Sequence, residues 1–295
     1  MELFIVNVVL ILTLVSLFLR FGRQPTQLYC GIFGFSGREG KRVDPGKLLV
    51  LGLYNRTRGI DSCGYYYNGN IVKGVDKEAD FKDFIIKHKF TAGGLPFETI
   101  MAHTRKSTYG THTLENAHPH QVGNYVQTHN GTIKNIWSLC AQNGIDHTNI
   151  HVDSLGLAYI IQKTGSYDIL AKYEGYAALT MVWTDDPGSL YLYHGASREK
   201  KDETMREERP LFTLRASEGL YYSSMEESLT IINKSKTVKP EQLSHNEVYL
   251  IQKGIIIKSV YKVNRVSTVS LHNKENNYDP GYSVNRPFEK TEKTK

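Results

Sequence analysis

Short apolar runs separated by turn residues recur from about residue 30 to 260, and they predict antiparallel hairpins. Tyr65–Tyr67 and Ile71–Val72 flank Asn68-Gly69, a dipeptide typical of tight hairpin turns. Two further hairpins are predicted over 176–193 and 248–257, around Asp185–Gly188 and Lys253-Gly254.

Helical patterns are interspersed with these runs. Asp44-Pro45 predicts a capped helix start with proline in its first turn, and Gly59 predicts its end. Asp153 is predicted to cap a second helix, which Gly165 ends. Extended segments are expected over 97–102 and 125–129. The pattern favours an α+β architecture of stacked antiparallel sheets covered by helices, without a doubly wound parallel sheet.

The first residues form a separate apolar segment. Leu3 to Leu19 is interrupted only by Asn7, Thr13 and Ser16, which places it at the short end of membrane-spanning lengths. Arg20 and Arg23 follow it, so the positive-inside rule predicts a cytoplasmic location for the rest of the chain. A buried core helix and a cleaved leader are the alternatives.

Composition agrees with a folded central part. Apolar residues make up 40% and charged residues 22% of the 295 residues, which allows a substantial core. One domain is predicted over 30–260, preceded by the hydrophobic segment over 1–29 and followed by a polar, mobile tail over 261–295.

Charge and cysteine content narrow the function classes. The formal charge of +6 is spread without a concentrated basic block, so nucleic-acid binding is not indicated. Three cysteines at unrelated spacings exclude a closed disulfide framework and favour a reducing compartment.

Polar residues of catalytic type concentrate in a few separated segments. Each is weak evidence by itself: a Cys before Gly on a strand is usually a small buried hydrophobe, and Asn-Gly is usually a turn. The segments are CGIFGF from Cys30, RGIDSCG from Arg58, MAHTRKSTYG from Met101, NAHPH from Asn116, HNGTIKN from His129 and VDS around Asp153.

Together, in this order and spacing, the segments resemble the glutaminase domain of class II glutamine amidotransferases, in particular that of the fructose-6-phosphate aminotransferases. The similarity extends over nearly all of residues 30–258. It implies an N-terminal-nucleophile (Ntn) hydrolase: a four-layer αββα sandwich in which two antiparallel sheets lie between helix layers.

The resemblance also implies the roles of individual residues. Cys30 matches the nucleophile, and the Asn130 amide with the Gly131 N–H matches the oxyanion hole. Arg105 matches the residue that binds the substrate α-carboxylate, and Asp153 the partner of its α-ammonium group. Thr108 falls on a further substrate contact. Arg58 and Asp61 match a supporting motif around the site.

Two positions depart from the family pattern. Lys106 replaces a bulky Trp and Tyr109 replaces a His, which bears on how the loop closes over glutamine. The histidines around His118 and His120 lack the Cys or carboxylate companions of common zinc spacings, so neither a metal nor a cofactor is predicted.

An N-terminal nucleophile requires a free amine at Cys30, yet 29 residues precede it. A thiol with a pKa of about 8.5 beside an α-amine with a pKa of about 7.7 to 8.0 has its own base, whereas an internal Cys has none. The sequence therefore predicts cleavage between Tyr29 and Cys30, which would discard the hydrophobic segment as a propeptide. The uncleaved chain is expected to be membrane-associated.

The predicted reaction is hydrolysis of L-glutamine to glutamate and ammonia through a γ-glutamyl thioester on Cys30. Since fewer than 40 residues follow the domain, a separate synthase subunit is expected to consume the ammonia. Two alternatives stay open: a catalytically silent, membrane-tethered module of the same fold, and an N-terminal-Cys acylase that acts on another amide.

Overall fold

A computed structural model describes residues 30–67, 69–80, 99–107, 112–196 and 209–263, apart from the side chains of Lys77 and Lys258. The predicted hydrophobic segment over 1–29, Thr108, Tyr109 and most of the predicted tail lie outside these residues. No helix in the described ranges is long and apolar enough to cross a membrane.

All strand pairs in the described residues are antiparallel. The strands are β1 (Gly31–Gly37), β2 (Ser62–Tyr67), β3 (Asn70–Val75), β4 (Thr99–Arg105), β5 (His120–Val122), β6 (Tyr125–Ile133), β7 (Gly175–Trp183), β8 (Asp186–Ala196), β9 (Phe212–Arg215), β10 (Gly219–Ser223), β11 (Glu241–Gln242), β12 (Glu247–Gln252) and β13 (Ile255–Lys262).

These strands form two sheets. One has the order β11-β9-β10-β1-β4-β2-β3, and the other the order β13-β12-β8-β7-β6-β5. In the first sheet β1 lies between β10 and β4, so a strand that begins directly after Cys30 is paired on both sides. In the second sheet β6 pairs with β7 along its full length.

The α-helices of the described residues are α1 (Pro45–Arg56), α2 (Ile136–Gln142), α3 (Asp153–Thr164) and α4 (Glu226–Ile232). Short 3₁₀ turns occur at Asp76–Ala79 and Asp168–Ala171. Helices α1 and α4 contact the first sheet, and α3 contacts the second sheet and α2.

Three apolar cores separate four layers. Ile32 and Val126 belong to a core between the two sheets, whereas Phe33 packs with Leu48 of α1 on the outer face of the first sheet. Leu157 of α3 packs on the outer face of the second sheet. Successive residues of β1 thus face opposite cores, as the twofold period of a strand requires. The predicted α+β architecture, with two antiparallel sheets between helix layers, is confirmed.

The predicted hairpins correspond to β2–β3, β7–β8 and β12–β13. At the first predicted helix, the Asp44 carboxylate accepts hydrogen bonds from Gly46 N and Lys47 N at 2.9 and 3.3 Å. This confirms the predicted N-cap. Helix α1 ends at Arg56, before Gly59, because Thr57 already closes it with a hydrogen bond to the Tyr54 carbonyl.

The second predicted helix needs a correction. Gly165 ends α3 in a left-handed conformation with φ 61°, as expected. Asp153, however, is the first helical residue and Val152 is the N-cap. The Asp153 carboxylate accepts a hydrogen bond from Ile133 N on β6 at 2.8 Å, so this side chain connects the helix to the second sheet.

Four buried histidines lie where the two sheets meet. His103 on β4, His120 on β5, His129 on β6 and the neighbouring His118 are each at most 3% exposed. The His118 ring lies 4.2 Å from that of His103 and 4.3 Å from that of His120, between ring centroids. His103 Nε2 lies 3.1 Å from the His129 carbonyl oxygen, so this nitrogen must carry the proton.

Burial keeps these imidazoles neutral. It lowers the pKa of His103 to about 3, and the Arg105 charge adds to this effect. Burial is also the main cause that lowers the pKa values of His118 and His120. Electrostatic repulsion from His103 adds to this effect at His118, and the Lys73 charge adds to it at His120. For His129, burial again lowers the pKa while Asp153 opposes it. Within the described residues no group of His, Cys, Asp or Glu side chains is arranged to hold a metal ion.

The depressed histidine pKa values predict acid sensitivity. The unfolded chain takes up protons at these histidines near pH 6.5 and the folded chain does not, so their contribution to stability is complete above pH 6.5 and is lost as pH falls below it. Each histidine adds up to about 1.4 kcal/mol per pH unit to the slope of the free energy of unfolding against pH. We expect urea unfolding to show a steep loss of the free energy of unfolding from pH 7 to 5.

A matched pair of variants isolates the histidine cluster. His120→Gln should reduce the slope by about one histidine's share, whereas His151→Gln, at an exposed position, should leave it unchanged. Equal slopes for His120→Gln and the parent protein would contradict this explanation.

Candidate functional site

Cys30 lies at the start of the central strand β1. The backbone after it has no spare space, because a Cβ on Gly31 would come within 2.6 Å of both Asn55 Cβ and Thr104 Oγ1. Glycine therefore lets β1 pack against α1 and β4 directly beside Cys30. The half-buried thiol donates a hydrogen bond to the Lys106 carbonyl, with Sγ 3.4 Å from the oxygen.

Opposing effects act on the Cys30 thiol. Burial raises its pKa, while the Lys106 backbone and the charges of Arg105, Arg58 and Arg209 act to lower it. Three guanidinium groups from different parts of the chain thus favour the thiolate in a site that otherwise disfavours it. Sequence reasoning did not identify Arg209, since no motif surrounds it.

Asn130 and Gly131 approach Cys30 from the other sheet. Asn130 on β6 donates a hydrogen bond from Nδ2 to the Cys30 carbonyl oxygen at 2.8 Å. A Cβ on Gly131 would come within 2.0 Å of the Tyr176 carbonyl oxygen. Glycine is required there for β6 to pair closely with β7, and the pairing holds the Asn130 backbone in place.

Arg105 and Asp153 give the cleft opposite charges. Arg105 ends β4 and is 6% exposed. Burial lowers its pKa, whereas Cys30, Asp61 and Asp153 raise it. The Asp153 carboxylate is held by Ile133 N and by its neighbour's backbone, Ser154 N, both at 2.8 Å. The Asp153 carboxylate therefore has a rigid backbone support, and Arg105 is placed by its position at the end of a buried strand.

These residues meet at one open cleft, which encloses about 340 Å³ when its mouth to solvent is included. The structure thus brings Cys30, Gly131, Arg105 and Asp153 together, with Asn130 in contact with Cys30. The cleft is lined by Cys30, Arg105, Lys106, Asn116, His118, His129, Gly131, Val152, Asp153 and Ser154.

Several of these lining residues were not among the predicted site residues. His129 Nδ1 lies 3.0 Å from Ser154 Oγ, and Gln127 Nε2 donates to the Ser154 carbonyl at 2.7 Å. Ser154 thus ties the start of α3 to β6. The position of Ser154 directly after Asp153 in the VDS segment was the sequence signal that could have identified it as a site residue.

The predicted supporting residues lie beside the cleft. Arg58 Nη1 donates to the Ser224 carbonyl at 2.9 Å, which joins the end of α1 to the end of β10. The Asp61 carboxylate accepts a hydrogen bond from Ser107 N at 2.8 Å. The predicted contact of Thr108, and the departure at Tyr109, lie outside the described residues.

Comparison with known proteins finds sequence similarity to glutamine-fructose-6-phosphate aminotransferases. No family model matches the chain. A glutamine-fructose-6-phosphate aminotransferase (isomerizing) of Halobacterium salinarum is 31% identical over 196 residues, which cover 56% of this chain and 30% of the relative. The enzyme of the same name from Streptococcus mutans is 37% identical over 114 residues, which cover 36% of this chain and 17% of the relative. The chain therefore spans less than a third of the length of these relatives.

A solved structure shares the fold. The B. subtilis glutamine phosphoribosylpyrophosphate amidotransferase superposes with a TM-score of 0.53 at 17% identity, over 76% of this chain and 47% of that chain. The chain is thus similar in sequence to glutamine-fructose-6-phosphate aminotransferases and in fold to a second amidotransferase, which confirms the resemblance to class II glutamine amidotransferases that its motifs predict.

Proposed function

We propose that this chain hydrolyses the side-chain amide of L-glutamine to glutamate and ammonia, with Cys30 as the nucleophile. The observation that supports this most strongly is the convergence on one cleft of a thiol, a buried guanidinium and a carboxylate, with the Asn130 amide bonded to the backbone of Cys30. Glutamine also appears in the names of the similar proteins.

The first half-reaction forms a thioester. The free α-amine of Cys30 takes the thiol proton, and Sγ attacks the amide carbon of glutamine. The carbonyl electrons move to the oxygen, which becomes an oxyanion. When the tetrahedral intermediate collapses, the carbon–nitrogen bond breaks, the α-ammonium group returns its proton to the leaving nitrogen, and ammonia departs.

The second half-reaction regenerates the thiol. Water attacks the γ-glutamyl thioester with the α-amine again as the base, the carbon–sulfur bond breaks, and the thiolate regains a proton. The charges of the three arginines favour the Cys30 thiolate against the burial that raises its pKa, which makes the sulfur a better leaving group.

This mechanism depends on removal of residues 1–29. In the uncleaved chain the Cys30 nitrogen is an amide that accepts no proton, so the base is missing. We propose cleavage between Tyr29 and Cys30, after which the hydrophobic segment and its proposed membrane contact are lost. A separate synthase that consumes the ammonia stays a prediction.

Ammonia release and the N-terminal residue test the proposal together. Purified protein should release ammonia from L-glutamine only in the fraction whose intact mass begins at Cys30. Cys30→Ala should reduce the rate to background, because no other thiol lines the cleft among the described residues. Cys63→Ala, which removes a buried thiol of β2 in the same sheet, is the matched control and should keep the rate within about twofold.

Two results would contradict the proposal. One is turnover by a chain that still begins at Met1. The other is the absence of turnover from protein that begins at Cys30, which would favour the silent module instead.

The Asn130 amide is proposed to stabilise the oxyanion. An amide nitrogen carries two N–H groups, of which one satisfies the Cys30 carbonyl in the present geometry. The Gly131 N–H is the proposed second donor. We expect Asn130→Ala to lower kcat for glutamine by about 10² to 10³, as for the loss of other oxyanion donors, with a smaller change in KM.

Asn143→Ala is the control for that variant. The Asn143 amide also donates to a backbone carbonyl, that of Leu139 at 2.8 Å, but it lies at the end of α2 and does not line the cleft. A similar loss of kcat in both variants would indicate general destabilisation.

Arg105 and Asp153 are proposed to recognise the amino-acid head group of the substrate. Because charged hydrogen bonds contribute about 1.5 to 3 kcal/mol, Arg105→Lys should lower kcat/KM for glutamine by about 10- to 100-fold, mainly through KM. Lysine keeps the charge and loses the two-point geometry. Arg215→Lys at an exposed site on β9 should have no effect.

A substrate panel separates glutamine hydrolysis from a general acylase. The parent protein should discriminate against glutamine with an acetylated amino group, and Asp153→Asn should reduce this discrimination. Equal rates with free and acetylated glutamine in the parent would favour the acylase alternative.

A further inference from the structure

The segment from Gly59 to Asp61 packs directly against the backbone that carries the thiol's hydrogen-bond acceptor. A Cβ on Gly59 would lie 2.3 Å from both Arg105 C and Lys106 N. Asp61 N donates to the Arg105 carbonyl at 2.9 Å. The two backbones therefore lie closer together than any side chain at position 59 would allow.

The Asp61 side chain adds two contacts to the same backbone segment. Its Oδ2 accepts from Ser107 N at 2.8 Å, and its Oδ1 lies 3.3 Å from Lys106 Nζ. The Asp61 side chain is 11% exposed, so solvent screens these charge-assisted bonds only in part. The carboxylate thus holds the segment at two consecutive residues.

Asp61 thus contacts the Lys106 side chain and the Ser107 N–H. The Lys106 carbonyl belongs to the same backbone segment, and it accepts the hydrogen bond of the Cys30 thiol at 3.4 Å. We propose that Asp61 is a positioning residue for Cys30, which orients the nucleophilic sulfur by fixing the Lys106 backbone. This inference rests on the proposed function for its catalytic consequence, while the contact itself can be tested without turnover.

Orientation matters here because a thiol can rotate about its Cα–Cβ bond among staggered positions. A fixed acceptor favours one of them. A displacement of about 1 Å at a reacting atom can reduce a rate by about 10², so a loosened Lys106 carbonyl should lower kcat more than it changes substrate binding.

A second carboxylate, that of Asp76, provides the control because it contacts the same histidine as Asp61. His112 lies between two carboxylates, with Nε2 3.6 Å from Asp61 Oδ2 and Nδ1 3.5 Å from Asp76 Oδ1. The Asp76 side chain is 66% exposed and does not contact the Lys106 backbone in the described structure. Its φ of 51° suits asparagine equally well, so Asp76→Asn is a matched substitution.

The experiment measures the pH dependence of Cys30 alkylation by iodoacetamide, with peptide mapping by mass spectrometry. Asp61→Asn still accepts from Ser107 N but loses the ion pair with Lys106, and Asp61→Ala loses both contacts. The Lys106 backbone acts with Arg105, Arg58 and Arg209 against the burial that raises the Cys30 pKa. When the backbone moves away, the apparent pKa of Cys30 should rise, more in Asp61→Ala than in Asp61→Asn.

Turnover supplies the second readout. Both Asp61 variants should lower kcat for glutamine, by about tenfold or more in Asp61→Ala, with KM within about twofold. Asp76→Asn should match the parent protein in both measurements. Cys63 and Cys140 are buried, so their continued resistance to alkylation shows that each variant is folded, and Asp61→Asn decides the question if Asp61→Ala does not fold.

The proposal is overturned if the apparent pKa of Cys30 in Asp61→Asn stays at the parent value. A fall in that pKa also overturns it, because it would mean that the Asp61 charge acts on the sulfur directly. Since alkylation requires no glutamine, these outcomes remain decisive even if the protein releases no ammonia.

Discussion

One hydrogen bond between the two sheets organises the candidate site. Asn130 on β6 donates to the carbonyl of Cys30, the residue that leads into β1, over 2.8 Å. The strands belong to different sheets, so this bond exists only when the sheets pack face to face in one register. Sheet packing, which apolar burial drives, is therefore what brings an amide donor to the thiol.

Close backbone approach makes this register possible. Gly31 allows β1 to contact α1, Gly59 allows the segment after α1 to contact the Lys106 backbone, and Gly131 allows β6 to contact β7. Each glycine lies next to a residue of the candidate site or to its support. The hydrogen bond of His103 to the His129 carbonyl adds a second polar link between the sheets, and burial keeps that imidazole neutral.

Much of this architecture is predictable from local sequence. Tight turns such as Lys253-Gly254 mark their hairpins because both residues adopt positive φ, and Asp44 marks a helix start because its carboxylate satisfies free N–H groups. Strands β9 to β11 and helices α2 and α4 were not predicted, since their short patterns carry little periodicity. Their form depends on tertiary packing instead.

The motifs predicted the residues of the candidate site. The contacts and charges that hold and tune these residues were not predicted. Asp153 was expected to cap a helix, but its carboxylate bonds to β6, a contact between segments 20 residues apart that no local pattern encodes. The charge of Arg209 acts on Cys30, and nothing in the sequence around Arg209 indicates this. The mutual distances of the site residues follow from how the sheets pack, which periodicity does not specify.

The proposed mechanism requires a covalent bond between the Cys30 sulfur and the glutamine side chain during turnover. It is tested most directly by quenching the reaction with acid while glutamine is in excess and mapping the modified peptide by mass spectrometry. A γ-glutamyl group should be found on Cys30 and should disappear as glutamine is exhausted. Ammonia release with an unmodified Cys30 throughout, or with the acyl group on another residue, would contradict it.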